Sequence, residues 1–302
     1  MDKTKYSISD LEQLSGIHVD TIRIWERRYK ALDPMRTEGN TRFYHDGHLR
    51  RLLNIVGLNQ SGMKISQVCS LSDQEIDQLL KKEMDYTISL NPQFEYYISQ
   101  LLKFGLAYNG LQFDQLISRC IAELGMILTY KDIIYPLMVR LGLMWRRDHI
   151  CPAQEHFLSN LIRQKIFVAI NEVKVNLQST TSWLLFLPED EDHDIGLLFA
   201  HYILKLAGQQ VIFLGGRVPQ ESVIDAMSHN ESAHLLLFMV RARPLPDANL
   251  YLNKLSANFP NSKIHLAGNS KLIGQLDLAE NINWFQSIHD FERTIKNLAH
   301  VN

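Results

Sequence analysis

Trp183-Leu184-Leu185-Phe186-Leu187-Pro188 is an unbroken apolar run closed by a proline, and Glu189-Asp190-Glu191-Asp192-His193-Asp194-Ile195-Gly196 follows it. A short continuous apolar run bounded by turn residues reads as a strand buried on both faces. The polar stretch then reads as a loop that presents one histidine, His193, before a glycine opens a helix. Further along, Val211–Leu214, Leu235–Val240 and Ile264–Leu266 are apolar runs of the same kind. Helical spacing fills the intervals at Gly196–Ala207, Gln220–Ser228 and Ala248–Phe259, and a last helix is expected from Asp290 to Leu298 after Phe285 and Ile288. Strands alternating with helices argue for an open parallel α/β sheet, Rossmann-like and of the flavodoxin-like kind, over residues 179–302.

Upstream of this region strand alternation disappears. Phe94 to Tyr108, Phe113 to Leu124, Ile133 to Trp145 and Gln154 to Leu177 each carry helical periodicity, which predicts a four-helix bundle over residues 91–178. Asn91-Pro92 marks its start, and a polar helical linker is expected over 76–90. Nearer the start of the chain, Ser7 is a candidate N-cap for a helix carrying Ile8, Leu11 and Leu14, which Gly16 stops. Val19 to Tyr29 is a second helix, with Ile22, Trp25 and Tyr29 on one side and arginines on another. Asp33-Pro34 breaks it, and Gly39-Asn40 between Arg36 and Arg42 is a turn signal for a small hairpin or wing. Residues 1–75 thus read as a winged helix-turn-helix. The expected fold class is mainly α plus α/β.

Composition sets the class of molecule. Of 302 residues, 46% are hydrophobic and 21% charged, ordinary values for a globular protein, and the length calls for two or three domains. The net charge of −2 gives no general attraction to nucleic acid, but eight basic residues against five acidic ones lie between Asp20 and Arg51. Three separated cysteines, Cys69, Cys120 and Cys151, make a disulfide framework unexpected and fit a reducing compartment. No apolar run approaches the roughly 20 residues that span a bilayer. A cytoplasmic protein with no membrane partner is expected. There is no G-x-G-x-x-G, P-loop, H-E-x-x-H or nucleophile elbow, so an enzyme is not expected.

Two sets of residues carry chemistry. Arg23, Arg27 and Arg28 sit on the second helix of the helix-turn-helix, where side chains enter a DNA major groove. Arg36, Arg42 and Tyr44 sit on the wing, where they would grip the flanking phosphates. Trp25 reads as core. In the C-terminal region His193 lies outside the carboxyl end of a strand, where open α/β sheets bind ligands. A neutral imidazole is a good axial ligand for a transition metal. Glu191, two residues earlier, can bond the other ring nitrogen and fix the tautomer. Gly196 lets a bulky ligand approach the backbone.

Taken together, Tyr6-x-Ile8-x-x-Leu11, Thr21-Ile22-Arg23-x-Trp25-Glu26-Arg27-Arg28, Pro34-x-Arg36, Gly39-Asn40-x-Arg42-x-Tyr44, Leu52-x-x-Ile55, Gly62 and Ile65 resemble the DNA-binding domain of the MerR family of transcription regulators. Trp145-x9-Glu155-His156 followed by Glu191-x-His193-x-x-Gly196 resembles the light- and cobalamin-sensing MerR-type repressors of the CarH/LitR type. The resemblance implies a dimer or tetramer on double-stranded operator DNA, controlled by adenosylcobalamin and light. It implies that Trp145, Glu155 and His156 line the adenosyl side of the cofactor, that His193 is the lower cobalt ligand, and that the nucleotide tail enters the α/β domain beside Gly196, Phe238 and Gly268. Three positions depart from the family's pattern. Phe238 stands where a serine is usual, Ala267-Gly268 stands for Gly-Gly, and Arg146 follows Trp145 where such repressors often carry a histidine. A phenylalanine there removes a hydroxyl and fills space, which leaves open another tetrapyrrole or no ligand at all. A corrinoid carrier or enzyme subunit is the reading from another class, and it leaves the winged helix without a role.

Overall fold

The structure, a computed structural model, describes residues 5–299 apart from 16, 38, 61–62, 77, 80–90, 147–150, 175–181, 231 and 242. The expected linker over 76–90 and the markers Gly16 and Gly62 therefore lie wholly or largely outside the described residues. The chain divides into two compact units, residues 1–162 and 163–302.

The first unit opens with α1 (Ile8–Ser15) and α2 (Val19–Tyr29). Ser7 starts α1 through a reciprocal cap: the Asp10 N–H donates to Ser7 Oγ at 3.1 Å, and the Ser7 N–H donates to the Asp10 carboxylate at 2.7 Å. Lys30 ends α2 in the left-handed conformation, with its N–H on the Glu26 carbonyl. The wing is a two-stranded antiparallel ribbon of β1 (Met35–Arg36) and β2 (Arg42–Phe43), turned at Gly39-Asn40 with Asn40 at φ 60°. Then come α3 (Asp46–Gln60) and α4 (Ile65–Ser70).

The bundle helices are α5 (Pro92–Leu106), α6 (Gly110–Thr129), α7 (Tyr135–Arg146) and α8 (Pro152–Glu172). Asn91 and Asn109 cap α5 and α6 with their side chains. Gly125, at φ 78°, interrupts α6, and a π-helical turn at Tyr130–Ile134 leads into α7. Arg140 of α7 clamps Glu95 of α5 with two parallel bonds of 2.7 and 3.0 Å. Leu143 of α7 packs in one apolar cluster with Ala31, Ile55, Leu58, Val68 and Ile76. Bundle and helix-turn-helix therefore share a core, whereas their sequence patterns read as separate domains.

The second unit starts within α8, at Arg163, and holds a five-stranded parallel sheet in the order β4-β3-β5-β6-β7. The strands are β3 (Ser182–Pro188), β4 (Gln210–Val218), β5 (His234–Met239), β6 (Lys263–Gly268) and β7 (Ile282–Trp284). The helices are α9 (Ile195–Leu206), α10 (Gln220–His229), α11 (Leu245–Asn258), the single turn α12 (Ser270–Ile273) and α13 (Ile288–Ala299). Trp183 through Leu187 are all fully buried, as an unbroken apolar run requires. Two features differ from the expectation. β4 runs on past Leu214 through Gly215-Gly216-Arg217, with register shifts against β3 and positive φ at Gly215 (84°) and Arg217 (57°). β7 was not expected, because three residues are too few to show a period. Under the sheet, Trp183 stacks on His234 and His265, and the two imidazoles hydrogen-bond at 2.9 Å. Burial pushes both histidines down, His234 to about 4 and His265 to about 3, so they are neutral core residues.

Candidate functional site

The helix-turn-helix presents a charged face. Arg23, Arg27 and Arg28 of α2 are exposed, while Ile22 and Glu26 of the same helix are buried. Trp25 is half-buried and packs against the shared apolar cluster. On the wing, Arg36 and Arg42 are directly opposite each other across the ribbon, and both are exposed. Arg36 donates to the Asn40 side-chain oxygen at 2.6 Å, which holds the tip of the wing.

Tyr44 corrects the expectation of a wing contact. It is fully buried, and its hydroxyl donates to the Glu26 carboxylate at 2.6 Å. Burial and the neighbouring carboxylate push its hydroxyl well above the usual range. The backbone of Tyr44 also exchanges two bonds with Tyr6, and Arg42 sits 3.6 Å from the other Glu26 oxygen. Glu26 and Tyr44 thus fix the wing to α2, and Arg23, Arg27, Arg28, Arg36 and Arg42 remain exposed. The sequence reading missed this role of Glu26, although an acid set among the arginines Arg23, Arg27 and Arg28 of α2 was a signal for it.

The second site grows from the loop between β3 and α9. Glu191 is fully buried at its centre. One of its oxygens accepts from the His193 ring Nδ1 at 2.5 Å and from the backbone N–H groups of Asp192 and His193. The other accepts from the backbone N–H groups of Val240 (2.8 Å) and Arg241 (2.7 Å), just beyond β5. Burial alone would raise the Glu191 pKa. The bond and charge of His193, with the Arg241 and Val240 N–H groups, outweigh it and pull the carboxyl down to about 2. In return, the Glu191 bond raises the His193 pKa above its ordinary value against the effect of burial.

Arginines from three places close around this loop. Arg217 donates to Asp192 at 2.9 Å, and its backbone N–H reaches the Glu191 carbonyl. Arg241 donates to the Asp190 carbonyl at 3.0 Å. Arg243, almost wholly buried, lies 3.2 Å from Asp190 and 3.6 Å from Glu191. Arg163 of α8 takes the Asp194 carboxylate at 2.6 Å. The loop is therefore not a solvated acidic run. Asp190, Glu191, Asp192 and Asp194 are committed to protein partners, and sequence could not show this because the partners lie 25 to 53 residues away or on another helix.

The donor atoms of Glu191, Asp192 and His193 lie within 4.8 Å of one another. A carboxylate only accepts, so in the neutral imidazole of His193 the proton resides on Nδ1 and Nε2 carries the lone pair. The His193 side chain is 56% exposed. The loop thus offers one oriented imidazole nitrogen, backed by a buried anion.

The sheet order places this imidazole. The strand sequence reverses direction between β3 and β5, and the crevice beyond their carboxyl ends is where open α/β sheets take ligands. Residues 6–75 match the model of the MerR HTH family regulatory protein, and residues 97–169 match that of a B12 binding domain. The chain joins a MerR-type DNA-binding domain to a B12-binding-type domain. Over 97% of its length it is 26% identical to the HTH-type transcriptional repressor CarH of Myxococcus xanthus, of which it covers 99%. It is also 26% identical to the repressor CarA of the same organism, over 78% of this chain and 77% of that protein. Among solved structures, a monomethylamine corrinoid protein of Methanosarcina barkeri superposes with a TM-score of 0.53 at 16% identity, covering 66% of this chain and 96% of that one. That likeness is one of fold.

The remaining candidate residues are placed as follows. Trp145 lies in the last turn of α7, next to Arg146, and the side chains of both are outside the described residues. In the first turns of the B12-binding-type helix α8, Glu155 accepts from Ser159 at 2.6 Å and pairs with the exposed His156 at 3.2 Å. Gly196 stands at the second position of α9, but the room it opens is taken by the Phe238 ring. Gly268, at φ 126°, is required by the backbone, since a Cβ there would lie 2.3 Å from the Met239 carbonyl oxygen. Among the described residues no helix is long and apolar enough to cross a membrane.

Proposed function

We propose that the chain is a transcription regulator that binds double-stranded operator DNA through its MerR-type domain and responds to a corrinoid coordinated by His193. The observation that carries this reading is the Glu191–His193 pair at the switch point of the sheet, on the same chain as an arginine-faced helix-turn-helix. The donor set fits a cobalt ligand: a half-exposed imidazole with Nδ1–H held by a buried carboxylate leaves Nε2 free to coordinate.

The chain's own residues then divide the work. Glu191 holds the proton at His193 Nδ1 and orients the ring. Val240 and Arg241 fix Glu191 from the turn just beyond β5. Trp145, Glu155 and His156 are the bundle's own candidate residues for contact with the cofactor. Arg23, Arg27 and Arg28 read the major groove, and Arg36 and Arg42 hold the flanking phosphates. When bound, an adenosylated corrinoid supplies a cobalt–carbon bond that visible light breaks. CarH and CarA are transcriptional repressors, and we assign the same sense here, with regulation rather than catalysis as the task. Self-association of the chain, as a dimer or a tetramer, would present several DNA-binding domains at once and raise affinity through effective concentration. The protein would work in the cytoplasm.

The test is an absorption spectrum of the full chain after incubation with an adenosylated corrinoid in the dark and desalting. The expected result is a retained chromophore whose bands report imidazole on cobalt and change under green light. His193→Ala should lose the imidazole signature. Retention with identical bands in both proteins would overturn the assignment of His193.

A further inference from the structure

Phe238 is the penultimate residue of β5, and Gly196 stands in the first turn of α9, the helix that follows β3. β3 and β5 are adjacent in the sheet, so these two residues face each other at the switch-point crevice. A Cβ built on Gly196 would lie 2.8 Å from Phe238 Cε1 and 3.2 Å from Cδ1. The aromatic ring therefore rests directly on the glycine backbone, three residues from the His193 loop position. Leu237 and Met239 on either side are buried, while Phe238 keeps part of its ring accessible. Gly268, at the end of β6, is accounted for by the Met239 carbonyl.

The chemistry of a complete cobalamin makes this packing matter. Its lower cobalt position is ordinarily filled by a benzimidazole base carried on a nucleotide tail. If a protein imidazole takes that position, the base must leave cobalt and be housed on the same side of the corrin plane. Beside the His193 loop, the Phe238 ring fills the space over the Gly196 backbone between α9 and β5, so a bulky group housed there would have to displace it. A corrinoid without the nucleotide has nothing to house there.

We infer that Phe238 is a specificity-determining residue, and that the His193 site selects corrinoids lacking the lower nucleotide, the cobinamide class, over complete cobalamins. The inference rests on the assignment of His193 as cobalt ligand.

The experiment measures dark equilibrium affinities of the full chain for adenosylcobinamide and adenosylcobalamin, side by side, for the wild type, Phe238→Ser, Phe238→Leu and His193→Ala. The wild type should bind adenosylcobinamide more tightly by about tenfold or more, a difference of about 1.4 kcal/mol. Phe238→Ser should gain affinity for adenosylcobalamin by a similar factor, with its affinity for adenosylcobinamide little changed. Phe238→Leu, which keeps the site apolar, should fall between. The wild-type ratio stands as a test even if Phe238→Ser does not fold. Equal wild-type affinities would show that the ring moves aside, and would overturn the inference while leaving His193 as ligand. Binding of neither corrinoid by the wild type or by the Phe238 variants, or binding unaffected by His193→Ala, would overturn the His193 assignment itself.

Discussion

Glu191 is a fully buried carboxylate in the α/β unit. A fully buried carboxylate persists only where hydrogen bonds replace its water, and Glu191 has five: the His193 ring, and the backbone N–H groups of Asp192, His193, Val240 and Arg241. Its folded pKa of about 2 lies below the ordinary 4.5, so the ionised form is stabilised by folding. That contribution is complete above about pH 4.5 and is lost as pH falls through about 2. Glu191→Gln should lower stability at neutral pH by about 2 kcal/mol, the scale of losing charge-assisted bonds in a buried site. It should also flatten the stability profile between pH 4.5 and 2, measured by denaturant unfolding across that range. An unchanged profile would mean that the carboxylate is not held as described. The histidine of this pair was legible in the sequence, because an apolar run ending in Pro188 must be followed by a loop at the strand's carboxyl end. The partners just beyond β5 were not, since only the sheet order brings residue 240 beside residue 191.

Among the elements, the wing shows how a two-strand ribbon is made rigid enough to place charge. Each of its strands has only two residues, too short to be stable alone. The Tyr44–Glu26 bond and the Tyr6–Tyr44 bridge anchor its base, and the Arg36–Asn40 bond closes its tip. Arg36 and Arg42 then stand side by side, an arrangement that costs repulsion in the free protein and is relieved by phosphate. Replacing either with alanine should weaken DNA binding for all sequences alike. It should reduce the slope of log affinity against log salt by about 1 for each arginine removed. A loss confined to one base position would instead place that arginine in a groove. The turn at Gly39-Asn40 and the arginine spacing of α2 were visible in sequence. The burial of Tyr44 was not, because alternation across two-residue strands gives no periodicity to separate the inner face from the outer. β7 went unread for the same reason of length.

At the scale of the molecule, the account joins a DNA reader to a ligand platform in one chain. The architecture followed from periodicity, with helical spacing up to the end of α8 and short apolar runs from β3 onward. The shared core of α3, α4 and α7 did not follow, because periodicity shows which face of a helix is apolar but not which helix covers it. Phe238 shows the same limit at the ligand site. Sequence shows a large side chain at this position, but only the fold shows that its ring rests on Gly196. The central claim is that the state of the His193 site governs DNA binding. The most direct measurement is the affinity of the full chain for a duplex selected from a random library, in the dark, with and without the corrinoid it retains, for the wild type and His193→Ala. The account predicts an enriched palindrome whose affinity changes by about tenfold or more with corrinoid in the wild type, about 1.4 kcal/mol, and does not change in His193→Ala. Selection of no preferred sequence, or an affinity indifferent to corrinoid in the wild type, would contradict it.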